Sequence, residues 1–247
     1  MSFIYLPYFA FLLRYRRTML GPLWLLVGPS LFIALVGLLY AEIGATQLAV
    51  FIPHLAIGLI TWTLINGFIV GSATVFQSSR SQILQGTQSL DGVVAVYVTT
   101  TILFFVHQLP IVLIVFLIYG IGLNWVALES VLGLALLVAN GVWASYVFGI
   151  LGARYRDLVE VFNAVMRIAF LATPIIWMPG EGMQGGVMGT FLVYNPLYHF
   201  LEIIRAPLLG QSPALISWSV AIGFTAAGSL AAWILKKRYV CLVPFWL

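Results

Sequence analysis

Six apolar stretches, at about 23–41, 49–75, 93–119, 128–151, 161–178 and 213–235, dominate this chain. A helix needs roughly 20 mainly apolar residues to cross the hydrocarbon core of a bilayer, and all six qualify. None shows the period-2 alternation and turn punctuation of a membrane barrel, so helices are expected, not strands. Only 7% of the 247 residues are charged, against about 25% in an ordinary soluble domain. That shortage excludes a soluble enzyme, a nucleic-acid-binding domain and a disordered regulator, because most of the exterior has to face lipid. The expected fold is an all-α membrane protein with six transmembrane helices. It forms a single domain over 1–247, without an internal repeat.

An even number of spans puts both termini on one side. Arg14, Arg16, Arg17, Arg80, Arg154, Arg156, Lys236, Lys237 and Arg238 fall on that side, and only Arg205 lies across from them. By the positive-inside rule both termini are cytoplasmic. The same rule accounts for the net charge of +4 without a polyanion partner. The single cysteine, Cys241, leaves no internal disulfide. The basic cluster follows the first apolar segment, which reverses the order of a cleaved leader. That segment, residues 1–13, is too short to span and is interrupted by Pro7. An interfacial stretch over 1–20, against the membrane lipids and ending at Arg14, Arg16 and Arg17, is expected. Residues 179–212 form a long outer segment in which the apolar run Phe191 to Leu209 is broken at Asn195-Pro196 and Ala206-Pro207. Two short helices dipping back into the outer leaflet fit that composition, provided protein or water satisfies their ends.

Several chemistries are absent. The only lysines are Lys236 and Lys237 and no G-x-x-x-x-G-K-[ST] sequence occurs, so no Walker-type nucleotide site is possible on this chain. His54, His107 and His199 lack metal-ligand spacing, so no metal site is expected. No nucleophile stands in a G-x-S-x-G frame, and no catalytic residue is expected. The acids, from Glu42 to Glu202, sit in or beside loops or in the outer segment. A proton-coupled carrier usually keeps a carboxylate near mid-membrane, so energy for transport has to come from another subunit.

The helical faces carry the positive signal. In the fifth stretch Glu160, Asn163, Arg167, Phe170, Pro174 and Trp177 fall within an arc of about 100°, opposite an aliphatic arc suited to lipid. An arginine within a span costs roughly 2.5–3.5 kcal/mol on insertion scales. Arg167 therefore either faces a watery conduit, where it meets anionic groups of a cargo, or pairs with Glu160. In the second stretch Thr63, Asn66, Thr74 and Gln77 share an arc, beside the small-xxx-small pair Gly67 and Gly71. In the third, Tyr97, Thr100, Thr101, Phe104, His107 and Gln108 cluster. Each stripe suits either interhelical hydrogen bonding or a lined passage. Mixed hydroxyl, amide and aromatic groups would suit sugars, which stack on rings and hydrogen-bond at their edges. The loop Gln77 to Asp91 is either a docking segment for a soluble partner or a solvated loop. Gly152 to Glu160 is either a lipid-phosphate anchor at a helix end or a partner contact.

The stretches RYRRTMLGPLWLLVGP (14–29), GARYRDL (152–158), TPIIW (173–177) and NPLYHFLEIIRAPLLG (195–210) resemble, in order and spacing, the ABC-2 type permeases of bacterial polysaccharide exporters. The likeness covers nearly the whole chain. It is nearest to Wzm-like O-antigen permeases, with KpsM-like capsule and teichoic-acid exporters as relatives. The resemblance implies a half-transporter in the bacterial inner membrane, with a second copy of itself and two ATPase subunits as partners. ATP and magnesium then belong to the ATPase and this chain holds no cofactor. The implied cargo is a glycan on undecaprenyl diphosphate. It also implies an ATPase-coupling loop over 77–92 with Arg80, Gln82, Gln85 and Asp91, and an interfacial helix near the ATPase. A periplasmic gate over 179–212, with Tyr194, Asn195, Pro196 and Tyr198, is implied as well. Asn66, Tyr97, His107, Arg167, Phe170 and Trp177 are the expected passage lining. The other readings are an ABC-2 permease for a drug or small lipid, and a membrane enzyme acting on lipid-linked sugars. The lack of clustered acids or a nucleophile with a base stands against the enzyme.

Overall fold

A computed structural model describes Tyr8, Met19 and residues 21–43, 47–179 and 186–247. The interfacial stretch with Arg14, Arg16 and Arg17 lies outside the described residues, apart from Tyr8 and Met19. Among the described residues there are helices and no strands. In chain order they are α1 (Trp24–Ile43), α2 (Leu48–Val70), α3 (Arg80–Leu84), α4 (Leu90–Tyr119) and α5 (Glu129–Arg154). After these come α6 (Leu158–Ala172), α7 (Val187–Tyr194), α8 (Pro196–Leu208), α9 (Leu215–Tyr239) and α10 (Val243–Trp246). Among the described residues, five helical stretches are long and apolar enough to cross a membrane: Gly21–Glu42, Leu48–Ser78, Leu90–Tyr119, Trp125–Arg154 and Leu215–Trp246. They coincide with five of the six expected spans.

The remaining stretch, 161–178, is helical only in part. Helix α6 has 15 residues, or about 22 Å at 1.5 Å per residue, less than the roughly 30 Å of a hydrocarbon core. It stops at Thr173 because Pro174 follows, and a residue before proline is pushed out of the helical region. The segment 179–212 contains, among its described residues, two short helices, α7 and α8. Asn195 caps α8, its side chain accepting from the Leu197 N–H at 3.0 Å with Pro196 in the first turn. Helix α8 runs through Pro207 to Leu208 and does not break at Ala206-Pro207 as expected. Pro207 supplies no N–H for the Ile203 carbonyl, and that oxygen lies against α5 at Gly133, where a Cβ would come within 2.8 Å of it.

Helix α2 is the core of the molecule. Phe51, Leu55, Ile57, Ile60 and Ile65 are all but sealed from solvent, and α1, α4, α5, α6 and α8 all pack against it. Helix α5 approaches through small residues. Gly141 receives the ring of Phe68, Gly149 receives Val75 and Phe76, and Gly152 abuts the Ala73 carbonyl. The Ser72 and Ser145 hydroxyls meet at 3.2 Å inside this seam. On its other side α5 holds α9, where the Asn140 amide donates to Thr225 Oγ1 at 2.6 Å and Trp143 packs over Gly228. Close backbone approach through glycine is the usual means of joining helices in lipid, where burial of apolar surface gives no driving force between them.

The α5 seam yields a test. A side chain at Gly152 would overlap the Ala73 carbonyl, whereas exposed Gly223 on α9 has open space beside it. Gly152→Leu should lower stability by roughly 3 kcal/mol through overpacking, and Gly223→Leu should be nearly neutral. Thermal unfolding of the two purified variants in one detergent would separate them; equal midpoints would refute the packing described here.

Candidate functional site

Three of the helices that share polar stripes are neighbours in space. Leu64 and Phe68 of α2, and Val75 of the short helical turn Val75–Ser78 that follows it after the 3-10 turn Gly71–Thr74, point inward, each 2% exposed. The opposite arc, with Thr63, Asn66, Gly67, Val70 and Thr74, is only half-buried. On one flank of that arc α2 meets α4. Thr63 Oγ1 donates to Gln108 Oε1 at 2.8 Å, and the Tyr97 hydroxyl donates to the Gly67 carbonyl with its ring against Gly71. On the other flank it meets α6, where the Phe170 ring packs on Trp62 at 5.6 Å and on Phe32 of α1 at 6.2 Å. The accessible strip of α2 is therefore the floor of a gap between α4 and α6.

The expected lining residues divide between these surroundings. Asn66 lies on the floor, and its amide has no hydrogen-bond partner among the described residues. Arg167 is exposed on α6 and makes no ion pair with Glu160 among the described residues. The aliphatic arc of α6 is exposed beside it, with Val161, Val165 and Ile168 between 51% and 69%. Tyr97 is tied to the α2 backbone, and Phe170 to an aromatic cluster. His107 Nδ1 stands 2.7 Å from the Leu103 carbonyl of its own helix. Trp177 donates to the Leu171 carbonyl at 2.9 Å, which folds it back over the end of α6.

At the end of the bundle where α2 and α4 are joined, α3 presents Arg80 and Gln82 in an exposed turn, followed by exposed Gln85. The C-terminal α10 packs against α3. Asp91 is exposed and also makes contacts within the chain. Its Oδ1 accepts the Tyr146 hydroxyl at 2.6 Å and pairs with Lys236 at 2.6 Å, joining α4, α5 and α9.

The opposite end of the bundle holds a cluster for which sequence offers little signal. The break after α6 leaves carbonyls without helical partners, and side chains supply the donors. Arg205 Nη1 donates to the Pro174 carbonyl at 2.6 Å, and the Tyr40 hydroxyl donates to the Ile176 carbonyl at 2.6 Å. Arg205 is only 4% exposed; it also stands 3.0 Å from His54 Nε2 and pairs with Glu202 at 2.9 Å. Of the expected gate residues, Asn195 donates to Thr173 Oγ1 at 3.1 Å, Pro196 opens α8, Tyr198 lies one turn before Glu202, and Tyr194 is 81% exposed. His199, buried under the same helix, bridges Ser217 Oγ at 2.9 Å and the Val193 carbonyl at 2.8 Å. The only signal for these roles was that Arg205 and His199 are costly residues to place in an apolar segment.

The architecture agrees with what comparison with other proteins finds. The family model for ABC-2 type transporters matches residues 2–209. An O-antigen export system permease protein RfbA of Myxococcus xanthus is 23% identical over 194 residues, covering 78% of this chain and 74% of that protein. A protein of the same name from Klebsiella pneumoniae is 25% identical over 188 residues, covering 74% of this chain and 71% of that protein. With its long apolar helices and a family match over most of its length, the chain is an integral membrane protein that belongs to the ABC-2 type transporter family.

Proposed function

We propose that this chain is the membrane-spanning half of an ATP-driven exporter that carries a lipid-linked, O-antigen-like polysaccharide outward across the inner membrane. Two copies enclose the passage, and a pair of ATPase subunits binds below them. ABC-2 permeases work with ATPase subunits, and the relatives named above are O-antigen permeases. Both termini are cytoplasmic. The fifth crossing is completed by α6 together with residues 173–179, and α7 with α8 forms the re-entrant outer gate. The cargo is a glycan on undecaprenyl diphosphate.

The observation that carries this reading is the open floor of α2 between α4 and α6. A helix whose opposite arc is sealed leaves accessible the arc bearing Thr63, Asn66 and Thr74, with exposed Arg167 beside it. Lipid is a poor occupant for that surface, because an unpaired amide in hydrocarbon costs several kcal/mol. A second copy with a hydrated glycan between the two supplies what lipid lacks. Sugar hydroxyls take the Asn66 amide and donate to the Thr63 and Thr74 oxygens, whose own protons go to Gln108 and the Gly71 carbonyl. Arg167 meets the diphosphate of the carrier.

Deletion of the gene should leave glycan accumulating inside the cell, and the intact gene should relieve it. Arg167→Ala and Asn66→Leu should each cut export at least about tenfold at normal protein amounts, the loss expected for a charge-assisted or well-placed polar contact. Pulse-labelled glycan reaching the cell surface is the measure, and wild-type export by both variants would remove the passage from this face. Arg80→Glu should reduce co-purification of the ATPase in detergent without altering the amount of permease. Arg80 is preferable to Asp91 for this purpose, since reversing Asp91 would also break its contacts with Tyr146 and Lys236.

A further inference from the structure

A pocket of about 390 Å³ opens where α2 begins, between α8 and the turn that follows α4. That volume lies within the usual range of small-molecule sites, roughly 300–1,000 Å³. Tyr198, Glu202, Arg205 and Gln211 border it, opposite an apolar wall that includes Pro53 and Ile121.

The charges in the pocket are already balanced. Arg205 is buried and its guanidinium is met by Glu202 at 2.9 Å, while its Nη1 is taken up by the Pro174 carbonyl and His54. An incoming anion would find little of Arg205 left and would face the Glu202 carboxylate. A bare cation would face Arg205. The uncommitted groups are of another kind. Glu202 gives Oε2 to Arg205, which leaves Oε1 without a described donor. The Tyr198 hydroxyl and the Gln211 carboxamide have no hydrogen-bond partner among the described residues. One carboxylate oxygen, one phenol and one amide beside a small apolar wall match a neutral polyol ring. Hydroxyls at the ring edge satisfy the three polar groups, and the C–H face covers the wall. A site built to hydrogen-bond hydroxyls discriminates strongly against ligands that lack them.

We propose that this pocket is a saccharide subsite at the outer end of the chain, binding a neutral hexose-type unit through Tyr198, Glu202 and Gln211. The identification of that unit with the departing cargo rests on the export reading; the binding itself does not.

Saturation-transfer NMR on the purified full chain in detergent micelles tests it, with D-glucose, D-mannose, D-galactose and L-rhamnose as separate probes and glycerophosphoethanolamine as a competitor. Transfer to at least one sugar is expected, insensitive to the competitor. It should weaken about fivefold, the loss of one neutral hydrogen bond, in both Tyr198→Phe and Gln211→Ala, with thermal midpoints equal to wild type. No transfer to any of the four sugars would overturn the proposal. So would transfer unchanged in both variants, or displacement by glycerophosphoethanolamine, which would assign the pocket to a lipid headgroup. Failure of this experiment leaves the export reading to the glycan-accumulation measurement. Sugar binding in a protein whose deletion causes no accumulation would keep the pocket and remove only its link to cargo.

Discussion

A chain that stops being helical among apolar neighbours leaves carbonyl oxygens that water cannot reach. Each costs several kcal/mol unless the protein brings a donor to it. The break at Thr173-Pro174 creates this problem, and the packing around it is arranged as its solution. Thr173 and Ile175 are fully buried. Arg205 comes from α8 for the Pro174 carbonyl, and Tyr40 comes from the end of α1 for the Ile176 carbonyl. Meeting those two oxygens fixes how α1 and α8 approach α2. It also brings His54 and Glu202 to the guanidinium. A proline just past the end of a short helix thus determines where a buried guanidinium must lie.

The long helices were readable because a single constraint governs them. Any segment crossing hydrocarbon must be apolar over about 20 residues, so length and composition are enough to find Gly21–Glu42, Leu48–Ser78 and the others. The stretch 161–178 met the composition requirement but not the conformational one. Its apolar residues continue past Thr173, and the helix does not. Pro207 led to the opposite outcome. In the last turn of α8 it removes one hydrogen bond, the Ile203 carbonyl rests against Gly133, and the helix continues to Leu208. The two prolines differ in what the rest of the fold offers to the orphaned oxygen, and a linear sequence does not contain that information.

The same distinction runs through the polar stripes. Periodicity correctly grouped Thr63 with Asn66 and Tyr97 with Gln108, because residues three and four apart share a helix face. It could not say which of them would be used up between helices. Thr63 and Gln108 satisfy each other across the α2–α4 contact, and Tyr97 takes a backbone carbonyl on α2, while Asn66 and Arg167 are left open. Asp91 behaves likewise: its place beside a loop suggested a contact for a partner, and the fold binds it to Tyr146 and Lys236. Partner choice is a tertiary property, decided by which small residue allows which neighbour to approach. Gly71 decides it for Tyr97, and Gly67 for Thr101.

Retaining a largely buried ion pair at Glu202 and Arg205 is a poor way to gain stability. Replacing such a pair by apolar groups of equal volume is often neutral, or stabilising by about 1–4 kcal/mol, whereas stranding one member is strongly unfavourable. An apolar pair in place of Glu202 and Arg205 would pack well enough, yet it would leave the Pro174 carbonyl without its donor. The guanidinium is therefore required by the backbone break, and the carboxylate is required by the guanidinium. Once the carboxylate is there, 24% exposed on its side-chain surface, it presents an acceptor to whatever enters beside it. In this sense the break after α6 both ties α1, α2 and α8 together and accounts for the partly exposed carboxylate beside the pocket.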